Sequence, residues 1–224
     1  MPTLLMAIAG PMQSWGTRSH FTQRDTEREP SKSGIIGMVC AALGRDRNEP
    51  IDDLAGLKMG VRVDREGVVQ KDYQTIQNAA TAGGGRRTLT SDRWYLADAV
   101  FLVGLEGDRE ILEKIHKALR TPVWPLSLGR KSYVPSRSPW LLDGIRDECV
   151  SEALKNYPFL SPFAGRESLH SENDNRTEAI RFVIESKDPT PYIRQDQPIS
   201  FALGKRKFAS RYVEIFWENC DDIS

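Results

Sequence analysis

Residues Thr3 to Ala9 (TLLMAIA) form a short apolar run that stops at Gly10-Pro11. Such a run reads as a buried strand, and Gly-Pro is a turn signal. Ser33 to Leu43 (SGIIGMVCAAL) reads as a buried helix. Ser31 or Ser33 can cap its start and Gly44 its end. Ile35, Ile36, Met38, Val39 and Leu43 cover most of its circumference, so it should lie flat on a sheet. Leu57, Met59, Val61 and Val63 alternate as in a half-buried strand. Val68 to Ile76 is a weaker strand and Trp94 to Leu105 (WYLADAVFLVGL) a strong one. Arg109 to Leu119 is an amphipathic helix that Asp108 can cap, with Ile111, Leu112, Ile115 and Leu119 as its apolar stripe. Glu178 to Glu185 and Tyr212 to Trp217 read as C-terminal strands.

Strand, helix, strand, strand, helix, strand is the ferredoxin-like (RRM-like) order β-α-β-β-α-β. The expected class is therefore α+β, with a long excursion between the second and third strands. Gly83-Gly84-Gly85-Arg86-Arg87 makes its tip basic and flexible. We expect a main domain over residues 1–135 and a smaller β-rich extension over 136–224 that completes the sheet. Met12 to Pro30 and Leu160 to Arg176 are polar and read as loops. Pro122, Pro125, Pro135 and Pro139 break the stretch after the second helix into extended pieces.

Net charge is zero over 224 residues, but the charges are segregated. From Arg120 to Trp140 the charged residues are Arg120, Arg130, Lys131 and Arg137, without an acid. Lys205, Arg206, Lys207 and Arg211 form a second acid-free cluster. Such a distribution suits one basic face for nucleic acid, although an ordinary solvated surface has the same composition. Cys40, Cys149 and Cys220 are far apart and form no C-x-x-C pair, so neither a disulfide framework nor a zinc site is indicated. A reducing cytoplasm is the expected setting. No apolar run approaches the roughly 18 residues of a membrane span. The N-terminus lacks the basic segment and cleavage pattern of a secretory signal. No cofactor motif is present.

Five segments carry a resemblance. Gly10-Pro11-Met12-Gln13-Ser14-Trp15-Gly16 follows the first strand, and Pro30-Ser31-Lys32-Ser33-Gly34-Ile35-Ile36-Gly37 opens the first helix. Asp72-Tyr73-Gln74-Thr75, Leu128-Gly129-Arg130-Lys131-Ser132 and Phe208-Ala209-Ser210-Arg211 come later, in that order. This set resembles the CasD-type subunits of type I-E CRISPR Cascade complexes, in the RAMP superfamily. The resemblance spans about residues 3–217. It implies a modified ferredoxin-like domain with a thumb-like β-hairpin at about 71–94. It also implies a non-catalytic, RNA-binding role in antiviral defence, holding the 5′ handle of the guide RNA. Expected partners are that RNA, the Cascade backbone subunit and the large subunit, with target DNA met indirectly and no membrane.

Splayed single-stranded RNA is read by stacking, base-edge hydrogen bonds and phosphate contacts. Gln13 and Gln74 can bond base edges, while Trp15 and Tyr73 offer planar faces. Ser31, Lys32, Ser33 and Gly34 place a helix N-terminus where a phosphate can sit. Arg86 and Arg87 at the tip, Gly129, Arg130 and Lys131, and Lys205, Arg206, Lys207 and Arg211 complete the candidate set. Trp15 can equally fill the core beneath the first loop, and Trp94, Phe101 and Trp217 read as core residues. Two other readings remain open. One is a metal-independent endoribonuclease of repeat RNA, for which His20 is the best acid–base candidate, ahead of His170 and a surface His116. The other is a purely structural assembly subunit.

Overall fold

The structure is a computed structural model that describes residues 1–17, 23–80, 83–160 and 179–219. Its elements are β1 (Thr3–Ala9), β2 (Met12–Gln13), β3 (Gln23–Arg24), α1 (Lys32–Leu43), α2 (Asp52–Ala55), β4 (Lys58–Arg65), β5 (Val68–Ala80) and β6 (Arg86–Ala97). Then follow β7 (Val100–Glu106), α3 (Arg109–Arg120), β8 (Ile145–Arg146), α4 (Val150–Lys155), β9 (Ala179–Ser186), β10 (Tyr192–Ser200) and β11 (Lys207–Asn219). The protein is a mixed α/β fold on an antiparallel seven-stranded sheet of order β10-β11-β9-β4-β7-β1-β8.

β1 is buried along its whole length because both faces of the sheet are covered. Successive side chains alternate between faces. Leu4, Met6 and Ile8 join the cluster that contains α1 and α3, while Leu5 and Ala7 join the one that contains α4. The same two-sided cover corrects the expectation of a half-buried second strand. In β4, Met59, Val61 and Val63 face one cluster, and Arg62 on the other face is fully buried. Its guanidinium donates to Asp64 and to the carbonyls of Leu154, Tyr157 and Pro158, so the charge is paired and its N–H groups are used.

The helices follow the sequence closely. Ser31 caps α1, accepting from the Gly34 N–H, and Gly44 ends it with φ 75°. Asp108 caps α3 by accepting from the N–H groups of Glu110 and Ile111. Three strand expectations are corrected. The run Trp94 to Leu105 is two strands, because Asp98 turns the chain with φ 56°. An exposed Asp tolerates this left-handed conformation better than most residues. The strand beside β1 opposite β7 is the two-residue β8, whereas the expected C-terminal strands, β9 and β11, lie beyond β4. Strand β10 was not foreseen.

The proline-broken segment before β8 still satisfies the free edge of β1. Leu5 N–H donates to the Gly144 carbonyl (2.7 Å), Ala7 N–H to that of Pro139 (3.0 Å), and Ser136 N–H to the Ala9 carbonyl (2.9 Å). Pro139 only has to accept, so its missing donor costs nothing there. Strands β5 and β6 form a long hairpin outside the main sheet, longer at both ends than the 71–94 expected, with β2 and β3 along the other edge of β6. The His20 and His170 candidates, Thr81 and Ala82 of the tip, Cys220 and residues 161–176 of the expected loop lie outside the described residues.

Candidate nucleic-acid interface

The loop after β1 turns inward. Gln13 is fully buried, its Nε2 donating to the Ala99 carbonyl (2.7 Å) and its Oε1 accepting from the Trp15 indole N–H (3.1 Å). Trp15 is 1% exposed. A Cβ on Gly34 would stand 2.8 Å from the Trp15 ring, so this glycine lets α1 pack on the indole. The two motifs at residues 10–16 and 30–37 are thus one structural unit. Base-edge bonding by Gln13 is corrected to a buried scaffold position, and Trp15 takes the core alternative rather than stacking, because both side chains are buried.

The start of α1 is likewise occupied from within. The Lys32 N–H donates to Asp196 Oδ2 (2.7 Å), which takes the anion position that a phosphate would need. The Lys32 ammonium, 1% exposed, donates to both oxygens of Glu185 at 2.9 Å. Arg211 donates to Asp196 through Nε (2.7 Å) and Nη2 (2.9 Å). Burial pulls the Lys32 pKa below its ordinary value, against the pull of Glu185. Beside this quartet Glu29 accepts from Arg181 and Arg194. Lys32 and Arg211 therefore tie α1 to β9, β10 and β11, and both are buried, as is Ser31, which caps α1. Ser33 is half-buried beside them. Asp196, Glu185 and Glu29, which complete the cluster, were not singled out in the sequence, since nothing local reveals a partner more than 150 positions away.

The remaining candidates lie outside. Arg86 and Arg87 are exposed near the hairpin tip, and Tyr73 on β5 is 61% exposed. Gln74 is half-buried and donates to Asp72 (2.7 Å). At the hairpin base, the loop after α3 meets β6. Arg130 donates to the Trp94 carbonyl (2.9 Å) and to the Tyr133 hydroxyl (2.7 Å). Gly129 adopts φ 88°, and a Cβ there would come within 1.8 Å of the Ser14 carbonyl oxygen. Glycine is needed at that point to dock the loop on the segment after β1. Lys131 beside it is exposed. Trp94 corrects its core assignment: it is 37% exposed, with the Lys71 ammonium 5.8 Å from its ring centroid. The cross-strand register that pairs Lys71 with Trp94 depends on the hairpin and is not readable locally. Trp217 is also exposed, whereas Phe101 is core as expected.

Lys205 and Arg206 are exposed on a separate turn between β10 and β11, and Lys207 is exposed at the start of β11. His116 is half-buried rather than on the open surface, its Nε2 2.7 Å from the Leu141 carbonyl oxygen and its ring against Trp140. No group of three or more His, Cys, Asp or Glu side chains placed to hold a metal occurs among the described residues. No helix of the described residues is long and apolar enough to cross a membrane.

Buried residues at 13–15, a long solvent-facing hairpin and a basic loop at its base describe a compact body with an arm. The chain matches the family model described as CRISPR-associated protein (Cas_Cas5) over residues 3–214, and it belongs to that family. It is 29% identical to the CRISPR system Cascade subunit CasD of Escherichia coli (strain K12) over 93% of this chain and 92% of that protein. Among solved structures it is similar to one described as "Crystal structure of Cas protein", with TM-score 0.77, 41% identity and coverage of 99% of this chain and 97% of the other. It is also similar to a chain of a CRISPR RNA-guided surveillance complex, with TM-score 0.76, 34% identity and coverage of 97% and 90%.

Proposed function

We propose that this chain is a non-catalytic subunit of a CRISPR surveillance complex and holds the 5′ handle of the guide RNA. The observation that carries the reading is the exposed hairpin whose base joins Lys71, Trp94, Arg130 and Lys131 in one surface, with Arg86 and Arg87 near its tip. Cations for phosphates and a supported indole face for a base are what splayed RNA requires. Tyr73 offers a second flat face along the hairpin. Family membership and the likeness to CasD support the assignment to such a complex. On this reading the hairpin also meets the neighbouring backbone subunit, and the large subunit docks nearby. We read β4, β7, β1 and β8 with α1 and α3 as a ferredoxin-like unit whose last strand has shrunk to β8.

The test is fluorescence anisotropy of the purified chain with RNA bearing an intact handle and with a scrambled RNA of equal length. The intact handle binds more tightly. Trp94→Ala weakens it by about 1–3 kcal/mol, the usual worth of one base stack. Arg86→Ala with Arg87→Ala lowers the salt slope by about 0.7 for each phosphate lost. Equal affinity for both RNAs refutes handle recognition.

A further inference from the structure

The second basic cluster of the sequence divides in the structure. Arg211 is buried against Asp196, while Lys205, Arg206 and Lys207 stand at the β10–β11 turn. This turn has a defined shape: Lys205 N–H donates to the Ala202 carbonyl (3.0 Å), and Gly204 takes φ 72°. A Cβ on Gly204 would meet nothing within 4 Å, so the turn projects into open space. The Arg206 guanidinium lies 5.7 Å from the Phe208 ring centroid, and Phe208 in turn packs against Phe201. The guanidinium is thereby braced on an aromatic face, which leaves its edge donors for an acceptor. Three consecutive cations are exposed, and no carboxylate among the described residues is in salt-bridge range of them.

The turn belongs to a different part of the molecule from the hairpin. Strand β10 is the terminal strand of the main sheet and packs on α1 and α2, whereas β6 packs on β2, β3 and β5. We infer that the Lys205–Lys207 turn is a second nucleic-acid contact, separate from the RNA-holding surface, and that it takes the phosphodiester backbone of duplex DNA without reading sequence. The choice of duplex follows from what the turn lacks. Splayed single strands are held largely by stacking, and the two aromatic rings at the turn, Phe201 and Phe208, pack against one another, with the Arg206 guanidinium on Phe208. A row of exposed cations instead matches a regular line of phosphates, where Arg binds bidentately and Lys as a point charge.

The experiment measures binding of the full chain to a random-sequence DNA duplex and, separately, to handle RNA, across a salt titration. Lys205→Gln with Lys207→Gln removes two cations from an exposed turn, and a thermal melt checks that the fold is kept. The duplex salt slope falls by about 2, at roughly 0.9 per phosphate, and duplex affinity drops at least about tenfold near 50 mM salt. Handle-RNA affinity stays within about twofold, as contacts on a separate surface require. An unchanged duplex slope overturns the inference. A parallel loss of RNA affinity also overturns it, because the turn would then be part of the RNA site. Failure of the handle-recognition reading shows as equal affinity of the wild-type chain for handle and scrambled RNA, which leaves the duplex arm unaffected, so the two outcomes are distinct. Arg206→Lys keeps the charge but loses the planar fork, and duplex affinity falls while the slope is kept.

Discussion

Replacing Asp196 by alanine tests the buried charge quartet that joins α1 to the C-terminal strands. Asp196 is 1% exposed and accepts three hydrogen bonds: from the Lys32 N–H, and from Nε and Nη2 of Arg211. Without it, Arg211 keeps one carboxylate, Glu185, at 3.9 Å, and that group already holds the Lys32 ammonium. The variant therefore leaves a buried guanidinium under-compensated, a change that costs about 3–5 kcal/mol. For a chain of this size each kcal/mol lowers Tm by about 2–4 °C, so the melting point falls by about 6–20 °C. The assay is urea denaturation at neutral pH alongside a thermal melt. The partner variant Asp196→Leu with Arg211→Met removes both charges and recovers most of the loss, because an apolar pair of similar volume is nearly neutral. A loss below about 1 kcal/mol for Asp196→Ala would refute the reasoning, since it would mean that water reaches Arg211 and screens it.

Two further outcomes follow from local geometry. Gly129→Ala places a methyl group 1.8 Å from the Ser14 carbonyl at φ 88°, so the loop must undock; we expect a stability loss of about 2 kcal/mol or more and weaker handle-RNA binding, with Gly83→Ala, whose Cβ meets nothing, as the neutral control. Burial raises the Cys40 thiol from 9.0 to about 11, so it stays neutral and unreactive in the folded chain. A thiol whose folded pKa is raised holds its proton longer than the unfolded chain does, so its contribution is full below about 9 and is lost as pH rises through about 11. Mass spectrometry after alkylation at pH 8 finds Cys40 unmodified in native protein and modified in urea; native labelling of Cys40 would contradict the packing.

Much of the frame was legible in the chain itself. The unbroken run of Thr3 to Ala9, the Ser31 and Asp108 caps and the Gly44 terminator act within a few residues, so their signals are local. The hairpin and the family resemblance were legible for the same reason, since each rests on motifs of a few adjacent residues. Which way a side chain faces was decided by tertiary structure. Gln13 and Trp15 read as RNA readers but spend their polar atoms on one another and on Ala99. Lys32 and Arg211 read as free cations but meet Glu185 and Asp196 only after β9, β10 and β11 have joined the sheet. Trp94 looks apolar in sequence, yet its place at the edge of the hairpin base leaves it half open beside Lys71 and Arg130. Residue type and spacing fix local conformation through short-range sterics and hydrogen bonds. Pairing between charges more than 150 positions apart, as for Lys32 with Glu185, depends on chain topology, which decided which cations were buried and which stayed exposed.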